Sequence, residues 1–136
     1  MKRYNGLFVK TYRDFKNKRL IHSFKYAFSG IGSAFLSEAN MRIHVLAMIL
    51  VVLFGVFLKI STLEWIICIA LFGLVISAEL FNTAIEYVVD IASPEKQEKA
   101  RLAKDIAAGA VLITAIAAAI IGLIIFLPKI INLFNN

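Results

Sequence analysis

Glu79, Asn82, Thr83, Glu86 and Asp90 punctuate an otherwise apolar run, W-I-I-C-I-A-L-F-G-L-V-I-S-A-E-L-F-N-T-A-I-E-Y-V-V-D, from Trp65 to Asp90. At about 100° per residue, with Glu79 as zero, they fall near 0°, 300°, 40°, 340° and 20°. Three carboxylates, an amide and a hydroxyl therefore share one narrow stripe of a helix. Ionisable groups at membrane depth are costly, so the default reading is a functional site. Three readings compete. The polar groups hold helices together, carry an ion or proton, or form a site that binds metal and phosphate. Asn82 and Thr83 alone would suit the first. Three acids are harder to explain this way, because Arg42 and Lys104 are the only obvious cationic partners near their depth.

Missing motifs narrow the chemistry further. There is no G-x-x-x-x-G-K-[ST], no zinc-ligand spacing, no nucleophile elbow and no serine-histidine-acid set. Gly30-Ile31-Gly32-Ser33 is too short a glycine signal to cradle phosphate. If phosphates are handled here, carboxylates must hold Mg²⁺ against them while Lys or Arg neutralises the rest. Glu79 lies seven residues deeper than Glu86, about 10 Å along the helix axis. His44, alone near a helix end, reads first as a packed or interfacial residue.

The elements that position these groups are membrane helices. Of the 136 residues, 60% are hydrophobic, the mean hydropathy is +0.81, and soluble domains average only about 45–50% apolar residues. One domain this size could not bury so much apolar surface from water. Cys68 is a lone cysteine read as a small buried apolar residue. The start, M-K-R-Y-N-G-L-F-V-K-T-Y-R, lacks the apolar core of a signal peptide. Spans are expected at about 41–60, 63–91 and 105–127, with Pro128 stopping the third. Before the first, Leu20, Phe24, Phe28, Ile31 and Phe35 recur at helical spacing among basic residues. That pattern predicts an amphipathic helix over about 19–37, lying in the headgroup region. Its basic residues read as attraction to anionic lipid, and nucleic acid is not expected as a partner. The fold class is thus all-α and integral to a membrane.

Charge sets the orientation. Lys2, Arg3, Lys10, Arg13, Lys16, Lys18, Arg19 and Lys25 precede the first span, and Lys96, Lys99, Arg101 and Lys104 follow the second. The remaining ends carry only Lys59 and Lys129. The positive-inside rule puts the N-terminus and the second connection in the cytosol. Glu38, the acidic stripe and Lys104-Asp105 then lie near the cytosolic face, where nucleotide is available. Three helices are too few to enclose such a site. The small residues Ala108, Ala115, Ala118, Ala119 and Gly122 permit close approach of further helices, so an oligomer is expected.

The run Glu79-Leu80-Phe81-Asn82-Thr83-Ala84-Ile85-Glu86-Tyr87-Val88-Val89-Asp90 resembles the signature of the prokaryotic diacylglycerol kinases. Ala103-Lys104-Asp105 with Ala107-Ala108-Gly109-Ala110-Val111 resembles that family's second block. Glu38-Ala39-Asn40-Met41-Arg42-Ile43-His44 and Leu63-Glu64-Trp65 are similar to its Gram-positive branch, whose members phosphorylate undecaprenol. The resemblance extends from about Arg19 to Leu127. It implies a homotrimer of the bacterial cytoplasmic membrane, each chain giving three transmembrane helices and a surface helix, with active sites shared between chains. It also implies transfer of the γ-phosphoryl group of MgATP to a lipid alcohol, undecaprenol or, as the alternative, diacylglycerol. By this resemblance Glu79 is the general base, Glu38 and Glu86 are metal ligands, and Asn82 is the amide beside them. Arg19, Tyr26, Glu95, Lys104 and Asp105, with Glu38 and Glu86, are the nucleotide positions. The lipid positions are Asn40, Arg42, His44, Asn82, Glu79 and Ala108. Lys96 and Gln97 depart from the family pattern beside Glu95. A membrane assembly or transport subunit is the reading from another class, with the acids as glue or as a proton path.

Overall fold

The computed structural model describes residues 4–95 and 97–135, with side chains from residue 19 onward. Lys2, Arg3 and Lys96 lie outside the described residues. Four helices make up the described chain: α1 (Tyr4–Ser37), α2 (Ala39–Phe57), α3 (Thr62–Ala92) and α4 (Glu98–Phe134). They divide into two compact units, residues 1–37 and 38–136.

The first unit is α1, which is helical from Tyr4, well before the expected start near residue 19. Leu20, Phe24, Phe28, Ile31 and Phe35 are all exposed. It ends where Glu38 turns to extended backbone, with φ −98° and ψ 124°.

The second unit is a bundle in which α3 packs against both α2 and α4. All three helices are long and apolar enough to cross a membrane. At 1.5 Å per residue α2 rises about 28 Å, close to the hydrocarbon thickness, whereas α3 and α4 rise about 46 and 55 Å and must project beyond it.

The α2–α3 turn explains why α2 ends at Phe57 rather than near residue 60. Ile60 N–H donates to the Gly55 carbonyl (3.1 Å) and Lys59 N–H to that of Val56 (3.3 Å), the paired bonds of a Schellman cap. Lys59 takes the left-handed conformation this cap requires, with φ 51°. Ser61 then starts α3 with a capping box: its N–H donates to Glu64 Oε2 (2.6 Å) and its hydroxyl accepts from Glu64 N–H (3.3 Å). Beneath the turn, Ile60, Cys68 and Ile125 are buried among Val51, Trp65, Phe72 and Phe126. A Cβ on Gly55 would lie 2.8 Å from the Trp65 ring, so glycine is what lets α2 approach α3 there.

Pro128 does not stop the third span: α4 continues through it to Phe134. Proline costs the bond to the Ile124 carbonyl. The segment beyond it is still apolar, with Ile130, Ile131, Leu133 and Phe134, and backbone groups at membrane depth are satisfied only by staying helical. Lys129 Nζ also ties this end of α4 to Glu64 of α3, at 3.2 Å.

Candidate active site

The polar stripe occupies the other end of the bundle, on the C-terminal half of α3. Glu79 is 1% exposed, and Asn82 and Thr83 are buried beside it. Thr83 satisfies itself within the helix, its hydroxyl donating to the Glu79 carbonyl at 3.0 Å. Asn82 Nδ2 donates to Glu86 Oε1 at 2.8 Å, one turn further on. Asp90 Oδ1 receives Lys104 Nζ from α4 at 2.5 Å. Polar groups at i, i+3, i+4, i+7 and i+11 thus form a graded column, buried at Glu79, half-buried at Glu86 and exposed at Asp90.

Both carboxylate oxygens of Glu79 and Oδ1 of Asn82 are buried with no hydrogen-bond partner among the described residues. Leaving a buried acceptor unpaired is expensive, more so for a carboxylate. Glu79 and Asn82 line a cavity of about 290 Å³. Its walls come from Asn40 and His44 of α2, Glu79 and Asn82 of α3, and Ala108, Val111, Leu112 and Ala115 of α4. The spacing explains the selection: Asn40 and His44 are one turn apart, and 108, 111, 112 and 115 are the i, i+3, i+4 and i+7 positions of one helix face. His44, Glu38 and Glu86 lie within electrostatic range of Glu79.

Beyond His44 and Ala115, which line both spaces, the cavity adjoins an almost wholly apolar groove of about 520 Å³. Met48, Cys68, Phe72, Val75, Ala118 and Gly122 are among its walls. An acidic pocket therefore opens directly beside a space suited to hydrocarbon.

The connection between α3 and α4 holds a third space of about 760 Å³, walled by Asp90, Ser93, Glu95, Arg101 and Lys104 among others. Lys104 is within electrostatic range of Glu86 as well as bound to Asp90. Lys104 thus stands between the connection and the acidic column.

The positions singled out in the sequence distribute as follows. Asn40, His44, Glu79, Asn82 and Ala108 meet in one cavity. Arg42, two residues from Asn40 and about 200° around the helix, is exposed and does not line it. Glu38 is half-buried at the start of α2, and Glu86 sits one turn above the cavity. Glu95 and Lys104 share the space at the connection, whereas Asp105 pairs with Arg101 at 3.4 Å and stands outside it. Arg19 and Tyr26 belong to the α1 unit, where both are exposed and Tyr26 stacks on His22 at 6.3 Å. Among the described residues no three His, Cys, Asp or Glu side chains gather closely enough to enclose a metal ion. Sequence reading missed Arg101 as a wall of the connection space, and Val111, Leu112 and Ala115 as walls of the cavity. Arg101 carried a signal, being a cation one turn before Asp105. The apolar three carried only their spacing from Ala108.

Comparison with known proteins fits this arrangement. A sequence model of prokaryotic diacylglycerol kinase matches residues 25–126. The chain is 41% identical to the undecaprenol kinase of Bacillus subtilis over 119 residues, which cover 86% of this chain and 97% of that protein. It is 39% identical to a diacylglycerol kinase of Synechocystis, over 84% of this chain and 66% of that protein. With the diacylglycerol kinase of Escherichia coli K12 the identity is 34%, over 75% of this chain and 84% of that protein. A match of this extent, together with a carboxylate buried among three membrane-length helices, means that the chain belongs to the prokaryotic diacylglycerol kinase family and is a lipid kinase.

Proposed function

We propose that this lipid kinase transfers the γ-phosphoryl group of ATP to undecaprenol, giving undecaprenyl phosphate. The observation that carries the reading is Glu79: a buried carboxylate with both oxygens unpartnered among the described residues, lining a pocket that adjoins an apolar groove. A lipid alcohol suits both features of this pocket. Its hydroxyl would donate to Glu79, and its hydrocarbon would remain in apolar surroundings. Similarity to the Bacillus subtilis undecaprenol kinase along nearly that protein's whole length supports the acceptor. Diacylglycerol is the alternative acceptor, supported by the relatives named for it.

In this mechanism Glu79 takes the hydroxyl proton as the oxygen attacks the γ-phosphorus, and the bond to the β–γ bridging oxygen breaks. Asn82 holds Glu86 by its amide and leaves its carbonyl oxygen for the lipid headgroup. Asn40, His44 and Ala108 shape the headgroup pocket, and Arg42 contacts the lipid outside it. Lys104, Asp105 and Glu95 contact the nucleotide, and the family resemblance adds Arg19 and Tyr26 of α1 as nucleotide positions.

Glu38 and Glu86 are the residues that would hold Mg²⁺. The donor set fits, because Mg²⁺ is commonly bound through one or two carboxylates and completed by phosphate oxygens and water. When bound, the ion neutralises charge on the transferring phosphate. The working form is a homotrimer in the bacterial cytoplasmic membrane, a single lipid kinase domain per chain. The N-terminus and the connection between α3 and α4 face the cytosol, and the apolar side of α1 lies in the headgroup region.

Phosphate transfer from labelled ATP, with undecaprenol and diacylglycerol supplied in parallel mixed micelles, tests the acceptor. Product from undecaprenol well above that from diacylglycerol is expected, and the reverse ratio would assign the chain to diacylglycerol.

A further inference from the structure

Lys104 reaches across the helix connection to Asp90 at 2.5 Å, yet the Asp90 side chain is 64% exposed and that of Lys104 32%. A pair this open to water contributes little to stability. What it fixes is the direction of a flexible side chain. The ammonium of Lys104 also feels Glu86, which is half-buried one turn below Asp90 and accepts one hydrogen bond, from Asn82. Two carboxylates on the same face of α3 therefore compete for one cation. The upper one holds it.

From this we infer that Asp90 is a positioning residue: it holds Lys104 at the rim of the connection space and keeps its ammonium off Glu86. The inference rests on the reading of Lys104 as a nucleotide contact. Held at the rim, the ammonium is presented to an incoming polyphosphate, and Glu86 keeps a free oxygen. Without the Asp90 carboxylate, the four-carbon stem of Lys104 lets the ammonium fall toward the remaining anion, Glu86. Both groups are then spent on each other before nucleotide arrives. Asp90 itself need not touch the nucleotide for this effect.

The test is a double-mutant cycle on the full-length protein in lipid nanodiscs. It reads equilibrium binding of ATP without lipid acceptor, and thermal melting of each variant. Lys104→Ala is expected to weaken binding about tenfold, as loss of a charge-assisted contact to phosphate does. Asp90→Asn is expected to weaken it about threefold to fivefold, the scale of an exposed ion pair. Asp90→Glu should restore most of that loss. The double variant should bind no more weakly than Lys104→Ala alone, since Asp90 acts only through Lys104. Additive losses in the double variant, or unchanged binding in Asp90→Asn, would overturn the role given to Asp90. Binding losses that merely follow lowered melting temperatures would overturn it too. Unchanged binding in Lys104→Ala would instead remove Lys104 from the nucleotide site, and the proposal with it.

Discussion

Glu79 and Glu86 are two carboxylates on one helix face with different surroundings, and the difference supports the separate roles proposed for them. Glu79 is buried among three helices, with neither oxygen partnered among the described residues. Glu86 is half-buried and already receives the Asn82 amide. Their difference in depth was legible in sequence, because a polar column on an apolar helix has a depth axis that can be read from residue number alone. What spacing did not reveal is that Asn82 gives its amide to Glu86 and leaves its carbonyl oxygen buried without a partner among the described residues. On this account Glu86→Gln keeps the shape of the site while removing a charged oxygen ligand. It is expected to weaken Mg²⁺-dependent nucleotide binding about tenfold or more, measured as ATP affinity across a magnesium titration. An unchanged magnesium dependence would remove Glu86 from the metal site.

At the scale of the element, periodicity gave the three apolar helices but not their ends. The α2 terminus depends on a Schellman cap with a lysine at its left-handed position, where glycine would have been the visible signal. The α4 terminus lies beyond a proline that the surrounding apolar sequence overrides. The ion pairs Lys104–Asp90 and Lys129–Glu64 join residues distant in sequence, so only the packing of α3 on α4 reveals them. Arg42 does not line the cavity with Asn40 and His44, because helical geometry turns it to another side of α2. The close approach of α2 to α3 at Gly55 carries a prediction. A valine there must displace the Trp65 ring, whose nearest atom lies 2.8 Å from an added Cβ. Gly55→Val is expected to destabilise the bundle by about 1–3 kcal/mol, read as a lower melting temperature in detergent. An unchanged or higher melting temperature would show that the turn tolerates the extra volume.

For the whole molecule, the telling feature is how much apolar surface a single chain leaves open. Large side chains such as Leu74, Phe81, Ile113 and Leu123 are exposed along the membrane helices, and lipid or neighbouring chains must cover them. The Glu79 cavity and the connection space are both open on the single chain, and the described residues do not enclose a metal ion. These features support the proposed homotrimer, in which neighbouring chains would complete each site. The detergent-solubilised protein is expected to have the mass of three chains by light scattering, with detergent subtracted, and a single-chain mass would contradict this. Composition and span lengths made the membrane class legible, but assembly was not, because an apolar helix face reads the same whether it meets lipid or protein.

The central claim is that the buried Glu79 carboxylate activates the lipid hydroxyl. Transfer of labelled phosphate from ATP to undecaprenol, by wild type and Glu79→Gln in the same micelles, tests it most directly. The variant is expected to lose at least about 100-fold in turnover, the scale of general-base catalysis, while its ATP binding and melting temperature stay at wild-type values. Turnover near the wild-type rate would contradict the account and send the search for the base to another group.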